Sequence, residues 1–226
     1  MTEWWAELVG NEQELKELEV HLADSEHRII KKGKYYYLKI EDEQEDFDPD
    51  ILHDHMSRLV AMLNGAAKLR FHEFTGVKSY SVIRFKSDGK RVGYGFATAP
   101  KVPSTLYAPV PPDGVINTWV SLGNKSDFIE RALTLYGALE HNWKNLYLVL
   151  EVIEDDLGGE VAVLQKKFVS NRKLKSFKNT ANSFRAIGRD ARHATTRYSL
   201  PRSPMLITVA QELIHTVLEK WLESKK

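Results

Sequence analysis

Pro100-Lys101-Val102-Pro103-Ser104-Thr105-Leu106-Tyr107-Ala108-Pro109-Val110-Pro111-Pro112-Asp113-Gly114 separates two parts of the chain that differ in character. Proline fixes φ and lacks an amide hydrogen, so its five copies here rule out both a regular ladder and a helix. With Val115–Leu122 read as a short strand closing it, this stretch places a boundary between an α+β part, 1–122, and a helical bundle, 123–226.

Upstream, strand and turn signals dominate. Val77–Phe85 and Arg91–Thr98 read as a hairpin around Lys86-Ser87-Asp88-Gly89-Lys90, with Leu69–Phe74 as a further strand. Ile29-Ile30 and Tyr35–Ile40 read as a second hairpin. Asp48-Pro49 opens a helix with stripe Ile51, Leu52, Met56, Leu59, Val60 and Leu63, which Asn64-Gly65 is expected to stop. Residues 4–23 read as a first helix, with Trp5, Leu8, Leu15, Leu18 and Leu22 roughly on one face and a break at Gly10-Asn11.

Downstream, Ser126 caps an apolar pattern whose steps of three, four and seven run to Leu157, which reads as one helix ended by Gly158-Gly159. Ser170 caps a shorter helix with Leu174, Phe177, Ala181 and Phe184 inward. Ser203-Pro204 opens the last, carrying Leu206, Ala210, Leu213, Val217 and Trp221.

The net charge of +1 conceals a polarised molecule. Residues 41–54 hold eight carboxylates and no Lys or Arg. Residues 166–202 hold eleven cations against Asp190 alone. Such an array attracts phosphate backbones by releasing condensed counterions. Arg172, Lys173, Lys175 and Lys178 are placed on the exposed faces of their helix, with Arg185, Arg189, Arg192 and Arg197 beyond it. The array equally suits an acidic protein, or the acidic run of this chain. Within Arg189-Asp190-Ala191-Arg192-His193, the imidazole exchanges protons near neutral pH and an arginine stabilises phosphate charge. Those are the needs of metal-independent RNA cleavage.

The absence of cysteine excludes disulfides, thiolate metal sites and cysteine nucleophiles. His53 and His55, two positions apart, face different sides of a helix, so no metal is expected there. Phosphate-loop, dinucleotide, nucleophile-elbow and zinc-protease motifs do not occur, and no cofactor is expected. No secretory leader or membrane span is read, which makes the cytoplasm the expected location.

Val169-Ser170-Asn171-Arg172-Lys173-Leu174-Lys175, Asn179-Thr180-Ala181-Asn182-Ser183 and Ala191-Arg192-His193-Ala194 resemble the C-terminal signature of an uncharacterised group of bacterial proteins. That group resembles, more loosely, the HEPN superfamily of helical bundles, over about residues 124–226. The resemblance implies a metal-independent endoribonuclease of bacterial defence or toxin–antitoxin type, working as a homodimer. It implies His193 as general acid–base, with Arg192, Arg189 or Arg185 on the phosphate. The family motif places four to six residues between its Arg, which a polar residue usually follows, and its His; Arg189 leaves three before His193 and Arg185 leaves seven. The alternative is a non-enzymatic module that docks an acidic partner.

Overall fold

The computed structural model describes residues 3–40, 49–71, 73–85, 91–95, 111–138, 140–195 and 197–226. The chain divides into two compact units, Met1–Ser121 and Leu122–Lys226. The fold is mixed α+β, with the strands in the first unit and a wholly helical second unit among the described residues.

Strands β1 (Glu3–Val9), β2 (Ile29–Lys32), β3 (Tyr35–Ile40), β4 (Lys78–Phe85) and β5 (Arg91–Gly95) form one antiparallel sheet of order β2-β3-β1-β4-β5. Directly opposed residues share a face in such a sheet. Trp4, Ala6 and Leu8 therefore align with Tyr36, Leu38 and Val82, and all six are buried. Trp5 and Glu7 align with Tyr37, Ser81 and Ile83 on the opposite face. Gly33, at φ +64°, starts the two-residue turn between β2 and β3.

The first segment is the largest departure from the sequence reading: β1 occupies residues read as helix, and only Glu12–His21 is helical, as α1. Trp4 and Trp5 are both buried, one on each face of the sheet, so the period of two is hidden by a nearly continuous apolar run. At the break, Gly10 leaves room for Val77. A Cβ there would lie 2.7 Å from Val77 Cγ1, and Asn11 Oδ1 then caps α1 by accepting the Gln13 N–H at 2.8 Å.

Helix α2 (Pro49–Arg70) runs through the expected stop at Asn64-Gly65 and takes in residues read as the start of a strand. Asn64 is not a cap. Its side-chain amide donates to Val77 O at 2.8 Å and its Oδ1 accepts the Val77 N–H at 2.9 Å, so it ties α2 to the start of β4. Gly65, Ala66 and Ala67 are buried, and tertiary packing overrides the local stop signal. The segment read as a strand after the prolines is helix α3 (Val115–Gly123), with Ile116, Trp119 and Val120 buried at helical spacing. Burial pushes the Asp113 carboxyl up, but the Val115 N–H and the Arg70 guanidinium at 2.9 Å outweigh it and hold it low.

In the second unit, the expected long helix is two helices, α4 (Asp127–Ala138) and α5 (Trp143–Leu157), packed on each other. Asn142 caps α5 by accepting the Asn145 N–H at 3.0 Å, and Gly158 ends it at φ +88°. Then follow α6 (Glu160–Gln165), α7 (Asn171–Asn182), α8 (Phe184–Ile187) and α9 (Ile207–Glu223). Helix α9 does not open at Ser203-Pro204 as expected but at Ile207, because Leu206 before it is extended, and it packs against α5. Phe184, read as inward, is 39% exposed, because Ser183 is extended and turns the chain off the α7 stripe. No described helix is long and apolar enough to cross a membrane.

Glu14 is a fully buried carboxylate that accepts from the Thr75 N–H at 2.5 Å, the Thr75 hydroxyl at 2.8 Å and the Gly76 N–H at 3.2 Å. It clamps the chain entering β4 onto α1. Glu14→Ala leaves these donors unpaired and is expected to destabilise the first unit by about 2–4 kcal/mol in urea denaturation. A loss within error of zero contradicts the clamp.

Candidate nucleic-acid interface

Helix α7 presents its two sides to different surroundings. Ser170 Oγ accepts the Lys173 N–H at 3.4 Å at the N-terminus, while Leu174, Phe177 and Ala181 are fully buried. Phe177 stacks on Tyr147 and lies tilted against Trp143, both of α5. This packing fixes the helix rotation and leaves Arg172, Lys173 and Lys175 exposed, with no ion pair among the described residues.

Lys178 behaves differently. Its ammonium bonds Glu154 at 2.6 Å and Glu160 at 2.7 Å, and it is half-buried. Burial opposes its charge, but the two carboxylate hydrogen bonds prevail and raise its pKa above the ordinary 10.5. Arg192 is held in the same manner: its guanidinium bonds Glu151 at 2.6 Å, lies 4.4 Å over the Tyr147 ring, and its backbone N–H donates to Ala181 O at 2.8 Å. Both cations fasten the basic segment to α5.

The remaining site residues lie beyond α7. Arg185 on α8 and Arg189 in the adjoining turn are exposed and unpaired among the described residues. His193 and Tyr198 stack in parallel, with centroids 5.3 Å apart at 15°, and the Arg197 guanidinium sits 5.5 Å from the Tyr198 ring. Among the described residues neither His193 nitrogen has a hydrogen-bond partner, and no hydrogen bond or ring contact joins His193 to Arg185, Arg189 or Arg192. A groove of about 720 Å³ opens beside the start of α7, with Phe168, Val209 and Leu213 in its wall and Lys167, Lys173 and Lys220 among its cations.

Of the eleven cations in 166–202, nine are exposed and outside any ion pair among the described residues; Lys178 and Arg192 are the exceptions. The carboxylates that claim those two were not singled out from the sequence. Glu151 and Glu154 stand three apart on α5, a spacing that puts them on one helical face and carries the signal. The acidic run 41–48, weighed as an internal partner for the cations, lies outside the described residues.

Lys178→Met is expected to lower the stability of the second unit by about 1–3 kcal/mol, since it strands two carboxylates, while leaving RNA affinity unchanged. Because the folded pKa is raised, the Lys178 contribution is complete below pH 10.5 and lost as pH rises through the folded value. Denaturation of wild type and variant at neutral and strongly alkaline pH checks both points: the gap between them closes only at the alkaline end.

Comparison with protein-family models, with curated proteins and with solved structures finds no match to this chain.

Proposed function

We propose that the second unit is an RNA-directed, HEPN-like module of bacterial defence or stress type, acting in the cytoplasm. The observation that carries this reading is the set of nine exposed cations without intramolecular counter-charges among the described residues. Fixed positive charges near the surface repel one another, and a phosphodiester chain relieves that repulsion while releasing its counterions. An isolated solvated helix face has no need of such an imbalance.

Cleavage, in this reading, is metal-independent. The 2′-hydroxyl attacks the adjacent phosphorus and the P–O5′ bond breaks, leaving a 2′,3′-cyclic phosphate and a 5′-hydroxyl. His193 takes the 2′-hydroxyl proton and returns it to the departing 5′-oxygen, and Arg189 or Arg185 carries the charge developing on the phosphate. His193 is the only histidine between Lys166 and Arg202, so the proton transfer has one candidate there. Arg192, bonded to Glu151, is the less available of the arginines.

Two measurements follow. Affinity for single-stranded RNA is expected to fall with salt by about 0.7 logarithmic units per decade for each phosphate engaged. Replacing Arg172, Lys173 and Lys175 together by alanine is expected to reduce that slope by about 2. A flat slope removes the phosphate argument. Incubated with total RNA and a chelator, the wild type is expected to cut and His193→Ala to bind without cutting. Equal cutting by both assigns the chemistry elsewhere, and intact RNA in both leaves a binding module.

A further inference from the structure

The sheet face formed by Trp5, Glu7, Tyr37, Ser81 and Ile83 opens into a cleft of about 1080 Å³, whose wall includes Tyr35, Tyr37 and Tyr80. Its size is ample for a small ligand. A β-bulge helps to shape it: Glu7 pairs with Ser81 and Leu8 with Ser79, which leaves Tyr80 as the extra residue. Bulges re-aim side chains in this way. Gly93, opposite Ile83 on β5, contributes no side chain and keeps the wall low.

Glu7 lies in this cleft on the central strand of the sheet. It is half-buried, and the Ser81 hydroxyl donates to it at 3.2 Å. It has no cationic partner among the described residues. Lys31 and Lys34 also stand in the wall: Lys31 bonds Glu12 at 3.1 Å, so those two charges cancel, and the Lys34 ammonium lies on the Tyr35 ring, in no ion pair with Glu7. A carboxylate partly withdrawn from water and flanked by tyrosine rings favours a cation, and aromatic faces favour one that is weakly hydrated.

The same hairpin shows this preference in its own side chains. The Lys31 ammonium lies 5.0 Å from the centre of the Tyr36 ring, and that of Lys34 lies 5.2 Å from Tyr35. Lys32 lies 4.9 Å from Trp5 and 4.6 Å from Phe85. Ammonium groups on rings are thus the recurrent contact of this part of the sheet, and Glu7 adds the anion that turns such a contact into a site.

We propose that the first unit binds an organic ammonium ion in this cleft, with Glu7 as counter-charge and Tyr35 and the half-buried Tyr80 as the aromatic wall, the ligand displacing the Lys34 ammonium from the Tyr35 ring. The site is separate from the basic segment of the second unit, so its failure leaves the RNA reading untouched, and the reverse holds too.

Calorimetric titration with choline tests it against dimethylbutanol, in which a quaternary carbon replaces the nitrogen. Choline is expected to bind about tenfold or more tighter than the uncharged isostere. Glu7→Gln is expected to remove that preference. Gly93→Val is expected to block both ligands without loss of fold, since a Cβ at Gly93 meets only Ile83 Cγ1, at 3.9 Å. Tyr35→Leu, at a partly exposed strand position, is expected to weaken choline selectively and serves as a second probe should Glu7→Gln unfold. Equal binding of choline and the isostere, binding of neither, or an unchanged preference in folded Glu7→Gln overturns the proposal.

Discussion

Three carboxylates decide how the basic segment behaves. Glu154 and Glu160 close on Lys178, and Glu151 closes on Arg192, each at hydrogen-bonding distance. These charge-assisted contacts pin the stretch between α7 and the turn after α8 onto α5 and α6, and Phe177 of α7 stacks on Tyr147 of α5. With Lys178 and Arg192 paired, the segment holds its remaining ammonium and guanidinium groups outward on a fixed surface. The cost of ordering that surface is met by the packed interior rather than by the ligand, so binding loses less entropy than it would on a disordered basic tail.

The first unit rests on buried polar contacts of a different kind. Glu14 and Asn64 are both satisfied by backbone groups at the approach to β4, and each fixes a helix to the same short connection. Such groups are tolerated in a core because their own polar atoms are paired there. One face of the sheet is packed with Trp4, Ala6, Leu8, Leu38 and Val82. The other carries the aromatic rings, lysines and Glu7 that give this unit a chemistry unrelated to the basic segment.

Much of the architecture was legible in the residues, and the misreadings have physical causes. Ser170, Gly158 and the stripe of α7 act through local capping and periodicity, which survive without tertiary context. Trp4-Trp5 misled because a strand buried on both faces loses its alternation, and Asn64-Gly65 because a long-range bond from Asn64 to Val77 outweighs a local stop signal. The break between α4 and α5 was hidden since both helices bury apolar residues at compatible spacing, and only the Asn142 cap marks it. At the candidate interface, the outward direction of Arg172, Lys173 and Lys175 followed from the stripe opposite them. The capture of Lys178 did not, because it depends on α6 and on carboxylates 18 and 24 positions earlier in the chain.

The central claim is that the lysines of the basic segment divide into a fastened one and a free set awaiting an anion. Amine acylation followed residue by residue by mass spectrometry, with and without RNA, tests this most directly. The account predicts that Lys173 and Lys175 react rapidly in the free protein and are shielded by RNA, whereas Lys178 reacts slowly in both. Lysines 173 and 175 already shielded in the free protein, or Lys178 as reactive as they are, would contradict it.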